Sequence, residues 1–233
     1  MESQKPKIAM YVKRPFGEKL NASFDFLKEN WKLLLKFITY LLLPLCLIQA
    51  LSLNGLMSGA LSISAIASST AMAASSSSLI AFGSYYGLYM FLYLIGIILL
   101  TSLVYGLIRT YNEREERLQG VTLGMLKPRL FRNIKRLLLM TGACILLVLF
   151  VGIFVGLLVA LTPFTLFLTI PFIIAFSVPL ALLAPIYLFE DITLMEAFKK
   201  TFRLGFATWG GVFLVSLLMG IIANVLQGVT MMP

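Results

Sequence analysis

The sequence predicts an all-α protein: a polytopic transmembrane helix bundle of five spans, or a truncated six, with amphipathic interfacial helices on the cytoplasmic side. Three observations predict it. Of the 233 residues, 60% are hydrophobic and only 12% are charged, about half the charge of an ordinary soluble domain. All 19 Lys and Arg fall in three stretches, Lys5 to Lys36, Arg109 to Arg136 and Lys199 to Arg203. The segments between them, and the chain after Arg203, carry no charge except Glu190, Asp191 and Glu196, just ahead of the last cluster. A helix rises about 1.5 Å per residue, so about 20 apolar residues cross the hydrocarbon core. Five stretches reach that length. Lipid offers no partner to unpaired backbone groups, and an alternating barrel pattern is absent, so each stretch is predicted as a helix.

Residues 1–32 form a polar, basic segment ahead of the membrane domain, which is predicted over 33–233. Phe16, Leu20, Phe24, Leu27 and Trp31 follow one another at spacings of 4, 4, 3 and 4, one face of a helix. Glu18, Lys19, Asp25, Lys28 and Glu29 lie around the rest of it. The first apolar run starts only near Leu33, too late for a cleavable signal peptide, so span one (33–53) is expected as a retained signal anchor. The connection 54–84 holds ten serines and no charge. It is expected as an outside loop or a half-inserted hairpin, with Ser75–Ser78 suited to a flexible linker.

Span two covers 85–108, with Tyr85 and Tyr86 at its interface end. Cations collect on the cytoplasmic side of membranes, so the N-terminal segment, 109–136 and 190–208 are predicted inside. Five spans from an inside N-terminus leave the C-terminus outside. Within 109–136, Glu113 stands four residues before Arg117, a helix-supporting pair. Span three, 137–161, carries Gly152-Ile153-Phe154-Val155-Gly156, which lets helices approach closely and is expected to pack within the monomer. A turn at Thr162 and Pro163 leads to span four, 164–189. Its Pro171, Pro179 and Pro185 should bend it and are the candidate hinge.

Glu190 and Asp191 precede a helix start, where negative charge suits the helix dipole. Thr193-Leu194-Met195-Glu196 is a capping-box pattern. Beyond it Leu194, Ala197, Phe198, Thr201 and Phe202 share a face, with Lys199, Lys200 and Arg203 away from it. Such a helix either lies in the interface with its cations near phosphates or packs under the bundle. Span five covers about 209–227.

No reaction signature appears. The chain has no histidine, which removes His-based general bases, triads and His metal sites. Cys46 and Cys144 lie inside apolar runs with no metal-ligand spacing and are expected as buried thiols. No ionisable residue sits mid-span, which weakens an ion-coupled transport reading. Catalytic, cofactor and metal residues are therefore predicted as none. The net charge of +9 is assigned to orientation and anionic headgroups rather than nucleic acid. Candidate headgroup contacts are Lys199, Lys200, Arg203, Lys28 and Lys32. Expected partners are membrane lipids, together with a protein partner or a second copy of the chain.

A weak repeat marks the span starts. Asn30-Trp31-Lys32-Leu33-Leu34-Leu35 resembles Asn133-Ile134-Lys135-Arg136-Leu137-Leu138, and Thr208-Trp209-Gly210-Gly211-Val212-Phe213 is a fainter third copy. The implied unit is surface helix, span, outside connection, span, and the third copy lacks its second span. Asn30-Trp31-Lys32, the Pro-rich fourth span, Glu190-Asp191 and Glu196-Ala197-Phe198-Lys199 running into Trp209 carry a family likeness. On these residues the chain resembles uncharacterised bacterial six-span inner-membrane proteins related to the membrane domain of some glycerophosphodiester phosphodiesterases. The resemblance implies fold, location and six spans, and it implies no reaction. Two functions are expected from this reading. One is a non-enzymatic accessory or lipid-contacting membrane protein. The other is a transporter or permease component for a neutral or lipid-like substrate.

Overall fold

The computed structural model describes residues 7–9, 12–68, 76–162 and 164–231. The helices are α1 (Phe16–Ser68), α2 (Ser76–Glu113), α3 (Leu123–Leu161), α4 (Thr165–Leu180), α5 (Leu183–Glu190), α6 (Leu194–Ala207) and α7 (Trp209–Met231). Among the described residues there is no strand. Five segments are long and apolar enough to cross a membrane: within α1, within α2, α3, α4 with α5, and within α7. The chain is thus an all-α protein with five candidate membrane spans. It divides into two compact units, residues 1–134 and 135–233.

The first unit is built on an antiparallel pair, α1 and α2. Glu29 bonds Tyr111 at one end. Further along, Leu45 lies beside Gly96, Gly55 beneath the Tyr85 ring, and Gly59 beneath Phe82. Each step forward on α1 matches a step back on α2. A Cβ at Gly55 would stand 2.6 Å from that ring, so glycine is what admits the tyrosine at this crossing. The core sits at the charged end, where Phe26, Leu34, Phe37, Leu103, Leu107 and Tyr111 are buried with Leu118, Val121 and Leu126.

Here the structure departs from the sequence reading. The boundary expected at 32/33 falls inside α1, which runs unbroken for 53 residues, about 80 Å. Lys28, Lys32 and Lys36 change the polarity of the surface but not the backbone, so no separate surface helix forms before span one. Of the two forms expected over 54–84, an outside loop or a half-inserted hairpin, the loop is overturned over 54–68 and 76–84, which are helical. Residues 69–75, including Ser75 of the proposed linker, lie outside the described residues, as does Pro163 of the expected turn. Asn54–Ser68 lacks proline and is rich in Ala, Ser and Leu, and a helix started in the apolar run continues through it. Cys46 is exposed on α1 rather than buried.

The second unit packs α6 on α4 and α5. Ala197, Thr201 and Gly205 are the buried stripe of α6, one residue per turn. Phe202 and Phe206 meet Phe176 of α4 edge-on, at centroid distances of 5.9 and 5.5 Å. Of the two placements open to α6, its apolar face takes packing against neighbouring helices. Gly152 and Gly156 have no described atom within 4 Å of where a Cβ would stand. Among the described residues of the second unit, nothing takes up the GxxxG of α3, where packing within the monomer is expected from the sequence.

Candidate functional site

The predicted hinge prolines resolve into three different roles. Pro171 lies within unbroken α4. Pro179 precedes the break between α4 and α5, where Ala181 and Leu182 donate to the carbonyls of Val178 and Pro179 in a tightened turn. Pro185 is the third residue of α5, where no intrahelical donor is needed. Pro179 has no N–H to offer the carbonyl of Ala175, four residues back. That carbonyl accepts instead from Trp209 Nε1 at 3.1 Å. The break is also packed from outside: a Cβ at Gly205 would stand 2.6 Å from Pro179 Cα and Cβ. Trp209→Phe keeps a ring to stack on Phe213, now at 5.0 Å and 7°, but strands the Ala175 carbonyl. It is expected to cost about 1–3 kcal/mol, read as a lower midpoint when α-helical signal is followed through detergent denaturation.

Glu190 and Asp191 do not cap α6. Thr193 does, in a complete capping box with Glu196. The hydrogen bonds from the Thr193 backbone and side chain hold the Glu196 carboxyl below its usual range. Glu190 instead pairs with Lys200 at 2.6 Å. Asp191 adopts the left-handed conformation, φ 53°, which Asp tolerates better than most residues. It pairs with Arg136 at 3.2 Å.

Arg136 is the organising side chain of this end. Its Nη2 donates to the carbonyls of Tyr187 at 2.6 Å and Ile192 at 2.7 Å. Its guanidinium carbon lies 4.1 Å from the centre of the Tyr187 ring. A cation thus satisfies carbonyls left open where α5 ends, and it favours the negative end of the helix dipole.

Of the candidate headgroup residues on this unit, Lys199 and Arg203 are exposed on α6 while Lys200 is half-buried. Lys200 is held by its carboxylate partner. Lys28 and Lys32 are exposed on α1 in the first unit. The Lys32 ammonium lies 5.8 Å from the Trp31 ring centre.

The charged end of the first unit holds features the sequence reading missed. Lys7 Nζ donates to the carbonyls of Asn112 and Arg114 at 2.8 and 3.0 Å, closing the C-terminus of α2. The Ile8 N–H donates to the Tyr111 hydroxyl, which itself donates to Glu29 Oε2 at 3.1 Å. Arg117 Nη1 reaches Glu29 Oε1 at 2.7 Å, and that bond raises the Arg117 pKa. These bonds tie Lys7 and Ile8 to the α1–α2 pair.

Two concavities result. A groove of about 770 Å³ runs between that segment, α1 and α2. Its walls include Val12, Leu27, Trp31, Ile38 and Val104, with Arg14 and Lys19 at one end. A smaller pocket of about 280 Å³ lies between α2 and the start of α3, lined by Arg109, Arg129 and Arg132 with Glu113. Glu113 bonds both Arg109 and Arg129, and Arg129 also donates to Thr110. Arg109 and Arg129 therefore already serve the structure.

Among the described residues, no group of three or more His, Cys, Asp or Glu comes together as a metal would need. No family model, curated protein or solved structure matches the chain.

Proposed function

We propose that this is a non-enzymatic accessory protein of a bacterial cytoplasmic membrane that binds anionic phospholipid through basic surfaces on the cytoplasmic side. The N-terminus is inside and, with five spans, the C-terminus is outside. One observation carries the reading: every cation lies outside the long uncharged stretches of the five apolar helices, and among them Lys28, Lys32, Lys199 and Arg203 are exposed. Cations at that level draw anionic lipid by about 1 kcal/mol each. The likeness to six-span inner-membrane proteins agrees with this location.

The transporter reading has one feature in its favour, the broken fourth span. That break is filled by Gly205 and bridged by Trp209, which is how a structural bend is built and leaves little room for a moving one.

The test is native mass spectrometry of the whole protein in mild detergent with equal amounts of phosphatidylglycerol and phosphatidylcholine. Several-fold enrichment of the anionic lipid is expected. It should fall when Lys28, Lys32, Lys199 and Arg203 are all changed to Gln. Equal retention of the two lipids by the unaltered protein would overturn the proposal.

A further inference from the structure

We infer that the groove beside α1 is a binding site for a single anionic phospholipid. One acyl chain would lie along the groove and the phosphate would stand against Arg14 and Lys19. The inference rests on the anionic-lipid reading above but assigns a site that reading does not need.

Shape comes first. The groove holds about 770 Å³, within the range of about 300–1,000 Å³ typical of ligand sites, which are mostly apolar with a few placed polar groups. From Ala22 to Ile38 its floor follows α1 for about 24 Å. That exceeds half of the roughly 30 Å hydrocarbon core, so one acyl chain fits along it. Its walls leave Leu27, Trp31 and Leu35 about half exposed, at 46%, 55% and 56%, an apolar surface calling for a cover.

Polarity comes second. Among the described residues, the charged ones lining the groove are Arg14 and Lys19, both cations. They stand at the end away from the uncharged stretch that begins after Lys36. Ile38 and Val104 line the groove where that stretch lies. A phospholipid has the same order along its length: anionic phosphate outward, hydrocarbon inward. A soluble apolar ligand would have no use for the cations, and a free phosphate none for the trough.

Pre-organisation comes third. On the groove wall, Ile8 is held by the Ile8–Tyr111–Glu29 chain of hydrogen bonds, and Lys7 beside it is held on the end of α2. That part of the wall is in place before a lipid arrives, which lowers the ordering cost of binding.

Trp31 is inside the groove, and Trp209, the other tryptophan, belongs to the second unit. This gives the experiment. Whole protein in detergent is titrated with phosphatidylglycerol carrying brominated acyl chains, which quench tryptophan at contact. Saturable quenching is expected, reversed by unbrominated phosphatidylglycerol and absent from Trp31→Phe. Arg14→Gln with Lys19→Gln should raise the half-saturating lipid concentration on the order of tenfold. Ala22→Phe, which fills the floor, should remove the saturable part.

Quenching that never saturates, or that is indifferent to both Arg14→Gln/Lys19→Gln and Ala22→Phe, overturns the groove site. If anionic lipid is still enriched in the mass spectra, the general reading survives that result. If enrichment is absent as well, both fall.

Discussion

Replacing Arg136 with Ala is expected to cost the second unit about 2–4 kcal/mol, since two part-buried carbonyls lose a charged donor at about 1–3 kcal/mol each. The Arg136 side chain is only 19% exposed and Asp191 38%. Its loss releases two carbonyls at once, those of Tyr187 and Ile192, which lie 51 and 56 residues further along the chain. It also removes the countercharge of Asp191 and the cation on the Tyr187 face. Tyr187 is buried among Leu183, Ile186 and Ala197, so the orphaned carbonyls cannot simply turn to water. Arg136→Lys supplies one ammonium where a planar fork reached two carbonyls and a carboxylate, and should recover less than half of the loss. The readout is the midpoint of unfolding in mixed detergent and dodecyl sulfate, followed by circular dichroism. If Arg136→Ala unfolds at the same detergent fraction as the unaltered chain, the role assigned to Arg136 is wrong.

Arg136 also shows where sequence reading stops. In the sequence it is one more cation at a membrane boundary, and its use in orientation is complete without any partner. The partners are backbone carbonyls, which no side-chain pattern reveals. The α6 helix lies at the other extreme. Its capping box and its 3–4 spacing are local, and both its start at Leu194 and its buried stripe of Ala197 and Thr201 were legible before any fold was known.

The sequence marks the start of span one but not the start of α1, for a physical reason. Hydropathy marks where a helix enters lipid, whereas a helix ends where the backbone has a better alternative. Between Gly17 and Pro44 the sequence has neither glycine nor proline, so nothing stops α1 at the membrane boundary. The groove was invisible for a third reason. It exists only because the N-terminal segment folds back onto α2, and Arg14 and Lys19 acquire a common apolar neighbour through that tertiary step alone.

Gly205→Val should destabilise the second unit by about 3 kcal/mol or somewhat more. Two effects oppose each other at this position. Glycine inside a helix is worse than Ala by about 0.8–1 kcal/mol, so any side chain gains helix propensity. Against that, even a Cβ would stand 2.6 Å from Pro179 Cα and Cβ and 3.1 Å from its Cγ. Those atoms cannot swing aside, since the ring fixes its own backbone and Pro179 is fully buried. The helices must separate, which breaks the Phe176 contacts with Phe202 and Phe206 and pulls at the Trp209 bond to Ala175. Overpacking of this kind costs about 1–3 kcal/mol for small insertions and more as volume grows. Gly205→Ala should therefore be destabilising despite its propensity gain, and Gly205→Val more so. Gly220 supplies the control. It lies within α7 with no described atom within 4 Å of where a Cβ would stand, so Gly220→Ala should be neutral or stabilising by up to about 1 kcal/mol. The same mixed-detergent unfolding measurement ranks the three. Equal behaviour of Gly205→Ala and Gly220→Ala would mean that α6 and α4 do not meet at Pro179, and that the fourth span is free to move where the packing described above holds it.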